Sequence, residues 1–248
     1  MRKLIRKRAY IVGALGLSLS LAVSGVAYGQ NGTQTITGSV TGTNNASLNT
    51  TVDYIPGSDG MVAHATNALI DFPSEIKIST KAKIKKKGKT IKKKIPECSP
   101  ATIEGTTTPD AVAACGKTRV GEGSAIADVG GIDLPATVTA FNGTKVNGNP
   151  SILLHSRVDA ASLTTVLVGE IRKGGASAPY GTQLNVPVPP LAGGAAAIQT
   201  FGATVQKKIL KKVGYVTAGK CSDGSYSFRG TFTYSDAATQ TPTFEQPC

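Results

Sequence analysis

The chain has 248 residues, 40% of them hydrophobic and 17% charged, with 29 Gly, 13 Pro and no Trp. It is too apolar for a disordered chain and too sparsely charged for a coiled coil. Four cysteines exclude a disulfide-dense miniprotein, and the formal charge of +12 is concentrated rather than spread.

Residues 1–29 read as a signal peptide. Arg2, Lys3, Arg6, Lys7 and Arg8 precede an uncharged run from Ala9 to Ala27, and small residues stand at Ala27 and Gly29. That is a basic n-region, an apolar h-region and a cleavage site. Cleavage is expected after Gly29, with Ala27 as the alternative. An uncleaved anchor is the rival, because the run approaches spanning length. Its many Gly and Ser residues weaken that reading. No transmembrane span is expected in the mature chain. Residues 30–50 are rich in Thr, Asn and Gly, and form either a leader or an edge strand.

Export places the protein outside the cell, secreted or associated with the cell wall. There its thiols oxidise. Cys98, Cys115, Cys221 and Cys248 allow three pairings. Cys98–Cys115 and Cys221–Cys248 join neighbours and close modest loops, each worth about 3 kcal/mol. A zinc site is the alternative, but neither His lies at ligand spacing from a Cys. No metal or cofactor is expected.

The charge has one main source. Without the five basic residues of the signal, the chain carries +7. Residues 77–94 hold ten Lys and no acid, so the remaining body carries −3. With Lys87-Gly88 as a two-residue turn, the run folds as a hairpin over 77–95. Ile84 then faces Ile91, and Ala82 faces Lys93. One side carries Lys81, Lys83, Lys85, Thr90, Lys92 and Lys94. Lys83 opposite Lys92 and Lys81 opposite Lys94 repel each other. An anionic partner would relieve that repulsion. The candidate anion-binding residues are Lys81, Lys83, Lys85, Lys87, Lys92 and Lys94. A solvated edge guarded by Lys is the plainer reading of the run. A smaller cluster follows at Lys207, Lys208, Lys211 and Lys212. Nucleic acid is disfavoured as a partner, because no Arg or aromatic interrupts the lysines to stack a base. Anionic cell-envelope polymer or lipid headgroups fit better.

Short Thr- and Val-rich segments make up the rest: 35–40, 48–54, 136–141, 152–158, 164–171, 183–188, 203–209, 215–218 and 225–234. Turn signals such as Ser58-Asp59-Gly60, Gly174-Gly175 and Ser222-Asp223-Gly224 separate them. The pattern predicts an all-β fold, an antiparallel β-sandwich of Greek-key or jelly-roll type with a protruding Lys-rich hairpin. Residues 51–248 form a single domain. Gly121-x-Gly123 reads as a turn, and Gly230 as a bulge.

Pro135-Ala136-Thr137-Val138-Thr139-Ala140-Phe141-Asn142-Gly143 resembles a recurrent stretch of a family of exported actinobacterial proteins of unassigned function. So do Val186 to Gly194, Tyr215 to Cys221, and the region from Asp71-Phe72-Pro73 to Cys98-Ser99. The resemblance covers most of the mature chain. It implies export and a β-rich fold, and it transfers no catalytic residue.

Catalytic signals are weak. His64 and His155 are the two histidines. His155 lies in an apolar strand, which favours a structural role. A Ser nucleophile with His155 and Asp159 lacks a Gly-x-Ser-x-Gly elbow. The expectation is a non-enzymatic surface protein that binds anionic polymer through the Lys hairpin. A secreted hydrolase with an unrecognised site and a self-assembling β-protein are the alternatives.

Overall fold

The computed structural model describes residues 32–248, apart from residues 87, 88, 211, 212, 222 and 223. The signal expected over residues 1–29 lies outside the described residues, as does Lys87. In chain order the first strands are β1 (Thr33–Thr41), β2 (Ser47–Ile55), β3 (Ala65–Pro73), β4 (Ile76–Ile78), β5 (Lys81–Lys86) and β6 (Lys89–Lys94). Two short helices follow, α1 (Pro100–Ile103) and α2 (Thr108–Cys115). Then come β7 (Arg119–Val129), β8 (Asp133–Val146), β9 (Asn149–Val158), β10 (Leu163–Lys173), β11 (Tyr180–Pro187) and β12 (Ala196–Val205). The chain ends with β13 (Lys208–Leu210), β14 (Val213–Gly214), β15 (Val216–Ala218), β16 (Ser225–Tyr234), β17 (Thr239–Gln240) and β18 (Thr243–Pro247).

One antiparallel sheet takes up twelve of these strands, in the order β1-β2-β12-β7-β8-β9-β10-β11-β3-β16-β17, with β18 also paired to β16. The sheet curls until β16 and β18 lie beside β1. The fold is therefore all-β and antiparallel, as expected, but barrel-like rather than a sandwich. A strand with one buried face alternates in the same way in both architectures. What separates them is distant pairing. Phe201 of β12 faces Val52 of β2, and Leu184 of β11 faces Ile70 of β3. Periodicity does not encode such partners. Residues 33–41, in the stretch read as leader or edge strand, pair with β2 from Thr33↔Ile55 to Thr41↔Ser47.

Among the described residues, no continuous backbone ladder closes the barrel between β1 and β16 or β18. Two glutamine amides bridge the seam to β1. Gln240 Oε1 accepts from the Gln34 N–H at 2.7 Å, and Gln240 Nε2 donates to the Gly32 carbonyl at 3.0 Å. Gln246 Oε1 accepts from the Val40 N–H at 2.7 Å, and Gln246 Nε2 donates to the Val40 carbonyl at 3.4 Å. A primary amide carries the same donor and acceptor pair as a peptide group. Each glutamine therefore stands in for a missing strand residue.

Strand β16 shows the inner face most clearly. Tyr226, Phe228, Gly230, Phe232 and Tyr234 alternate with partly exposed neighbours. Gly230 does not mark a bulge. It sits on the buried face, where the Phe232 ring fills the space its side chain would take. The register shift falls instead between Thr233 and Tyr234. Gly38 of β1 lies beneath Phe228; a Cβ there would meet the ring at 2.5 Å.

Four strands of the twelve-stranded sheet escape the sequence pattern: β3, β7, β17 and β18. Gly121 and Gly123 form no turn; both lie within β7, facing Val205 and Ala203 of β12. A Cβ on either would collide with a β12 carbonyl. The glycines let two backbones approach closely.

The outer face of β8, β9 and β10 is covered by the two helices. Thr107 caps α2, its hydroxyl accepting from the Asp110 N–H. Ile103 and Ala111 pack on Phe141 and Leu153 of the barrel wall. The Cys98–Cys115 disulfide closes this flap. The Cys98 backbone fixes it to β8, donating to the Asn142 carbonyl at 2.9 Å. The second disulfide, Cys221–Cys248, holds the end of β18. Among the described residues, no helix is long and apolar enough to cross a membrane.

Candidate anion-binding surface and barrel interior

The lysine-rich segment grows out of the end of the barrel where β4 pairs with β15. Ile76 and Ile78 of β4 are buried beside Tyr215 and Val216, and β4 pairs with β15. The Ser79 N–H donates to the Tyr215 carbonyl at 2.8 Å, and the Ile95 N–H donates to the Thr80 carbonyl at 2.9 Å. Ala82 and Ile95 bury the root of the hairpin. From there β5 and β6 extend for about 20 Å. Their register sets Ile84 against Ile91, Ala82 against Lys93, Lys83 against Lys92 and Lys81 against Lys94. Lys81, Lys83, Lys92 and Lys94 are exposed on one side. Lys85 stands opposite Thr90 in the same ladder. Lys94 is offset by Glu97 at 2.7 Å.

The structure brings Lys208 of the second lysine cluster to the same place. β13 and β14 pair as a small hairpin, and β13 packs against β5 and β6. Lys208 is exposed there. Lys207 turns inward and donates to the Lys117 and Arg119 carbonyls, both at 2.7 Å. Burial pushes its amine below the usual lysine range, and the charges of Lys93 and Arg119 push in the same direction. Of this second cluster Lys208 joins the basic surface of the hairpin and Lys207 faces inward, while Lys211 and Lys212 lie outside the described residues.

The inside of the barrel is the second notable feature. It holds an apolar cavity of about 120 Å³. Leu154, Leu184, Ile70 and Phe201 face it from four different strands. Left empty, an apolar space of that size costs about 3 kcal/mol, at roughly 24 cal/mol per Å³. Sequence reasoning missed the cavity, because its volume depends on which strands pair.

His155 takes neither a nucleophilic nor a metal-binding position. It is fully buried between β9 and the helical flap. Its Nε2 lies 3.2 Å from the Thr106 carbonyl, which fixes the proton there, and Nδ1 has no partner. Asp159 pairs with Arg157, not with His155. The ring ties the flap to the barrel wall. Among the described residues, no group of three or more His, Cys, Asp or Glu is placed to hold a metal ion.

Burial lowers the His155 pKa below its usual 6.5. The folded protein holds the ring neutral while the unfolded chain protonates near 6.5. Stability is therefore full above that pH and falls as pH drops towards the folded value, by at most about 1.4 kcal/mol per pH unit. Urea midpoints between pH 7.5 and 5 should show this fall. His155→Gln should be less stable at pH 7.5 and should lose this part of the pH dependence.

Comparison with known protein families, curated proteins and solved structures finds no match.

Proposed function

We propose that this is an exported, non-enzymatic cell-surface protein that holds an anionic polymer of the cell envelope against its lysine hairpins. The observation that carries the reading is the exposed ladder of Lys81, Lys83, Lys92 and Lys94, with Lys208 of β13 brought beside it from more than 100 residues away. Edge protection alone does not require a lysine from a distant strand beside the hairpin. Lys83 and Lys92 face each other and repel until a polyanion neutralises them, whereas Lys94 is already offset by Glu97. The two disulfides fit an oxidising compartment.

The test is co-sedimentation with isolated cell walls over a salt series. Binding should weaken steeply as ionic strength rises, because exposed charges are screened within about 8 Å at physiological salt. Replacing Lys83, Lys85, Lys92 and Lys94 by Gln should weaken binding at least tenfold. The thermal midpoint should stay within a few degrees, since Lys83, Lys92 and Lys94 are exposed. Undiminished binding by that variant would refute the proposal.

A further inference from the structure

The apolar cavity inside the barrel is lined by none of the lysines of the basic surface. Of the side chains lining the cavity only Gln34, Thr50 and Gln199 are polar. Gln34 is already engaged: Nε2 donates to the Asp53 carbonyl at 2.9 Å, and Oε1 accepts from the Tyr234 hydroxyl at 3.1 Å. The Gln199 amide donates to the Asp133 carboxylate at 2.8 Å, which leaves Thr50 alone to meet the two to four hydrogen bonds that a buried water needs. A site of this kind excludes water and accepts an apolar guest. A cavity of about 150 Å³ with a similar lining takes benzene, so about 120 Å³ suits a guest of comparable or smaller bulk.

The shape of the lining selects among such guests. On β3 the cavity is lined from Phe72, near the lysine end, to Ala65 at the other end. That is about 23 Å along the strand. On β12 it is lined from Val205 to Ile198, the same length and direction. The space is long and thin rather than round. At the end marked by Ala65 and Ile198, three large aliphatic side chains stand in solvent: Ile55 at 57%, Met61 at 41% and Ile132 at 63% exposure. They give that rim the same chemistry as the interior.

We infer that the barrel binds a short unbranched aliphatic chain, or the terminal segment of a longer one, lengthwise between Phe72 and Ala65.

The test uses uncharged probes, so that the lysines play no part. Methyl NMR of the full chain is followed on titration with 1-pentanol, 1-hexanol and the compact cyclohexanol. Saturable shifts at Ile70, Leu154 and Leu184 are expected, tighter for the linear alcohols, with a rise in thermal midpoint. Ala203→Leu projects extra volume into the cavity and should weaken binding at least tenfold; Ala68→Val serves if that variant does not fold. Both retain the apolar amino-terminal run, so a loss in either locates binding in the barrel. No saturable shift, equal binding by the filled variants, shifts confined to Ile55 and Ile132, or a preference for cyclohexanol would overturn the inference. Binding by the Lys83, Lys85, Lys92 and Lys94 to Gln variant should be unchanged, which separates this site from the polymer surface.

Discussion

Phe228→Ala should lower the unfolding free energy by about 3–5 kcal/mol, the cost of emptying a fully buried aromatic site. The ring is 0% exposed. It meets Phe72 edge-on, with centroids 6.5 Å apart, and lies 6.4 Å from Phe244. Both separations are within the range where aromatic pairs add to simple area burial. Gly38 leaves room on the far side. Phe228 therefore joins β16, β3, β18 and β1 across the seam, and no single neighbour can move in to fill its place. Urea unfolding read by circular dichroism measures the loss. Phe228→Leu keeps most of the volume and should cost much less. A loss under 1 kcal/mol for Phe228→Ala would show that the seam collapses onto the space.

Asp71→Ala is expected to cost a similar amount by another route. Asp71 points away from the cavity, yet its side chain is only 3% exposed. Arg229 of β16 reaches its Oδ2 through Nε at 2.8 Å and a terminal nitrogen at 2.7 Å. Gln183 of β11 donates to Oδ1 at 2.8 Å. Arg229 also lies 4.4 Å over the Tyr180 ring. One carboxylate thus clamps three neighbouring strands. Removing it leaves a half-buried guanidinium unpaired, and breaking such a pair costs about 3–5 kcal/mol. Arg229→Met in the Asp71→Ala background should recover part of the loss, because it removes the stranded charge. A double-mutant cycle measures that coupling. Additive effects would mean that the two side chains act separately.

These two clusters also separate what is legible in the sequence from what is not. The alternation of Tyr226, Phe228, Phe232 and Tyr234 is a local signal, and it marks β16 from sequence. The ladder of the lysine hairpin is legible for the same reason, since Gly88 and the spacing of Ile84 and Ile91 are local. The alternation of β3 is interrupted where its burial shifts phase near Thr66, and β7 carries Gly121, Gly123, Glu122 and Ser124 where apolar residues would have marked a strand. Strand partners such as Arg229↔Asp71 lie more than 150 residues apart. No periodicity carries that information, so a barrel reads as a sandwich. The approach of Lys208 to the lysine hairpin and the interior cavity depend on such distant contacts, and both are invisible in the sequence for that reason.

The glutamine seam has a consequence for how copies of the protein treat one another. A free sheet edge is a template, and templates let chains grow end to end. Here the Gly32 carbonyl, the Gln34 N–H and the Val40 N–H and carbonyl, at the two ends of that edge, are already occupied by Gln240 and Gln246 of the same chain. A newcomer must first evict two fitted amides, while the incumbents return at the rate of a side-chain rotation. The contest is between a reaction within one molecule and a collision between two. At ordinary concentrations the first is faster, so the seam acts as a guard against polymerisation as well as a closure.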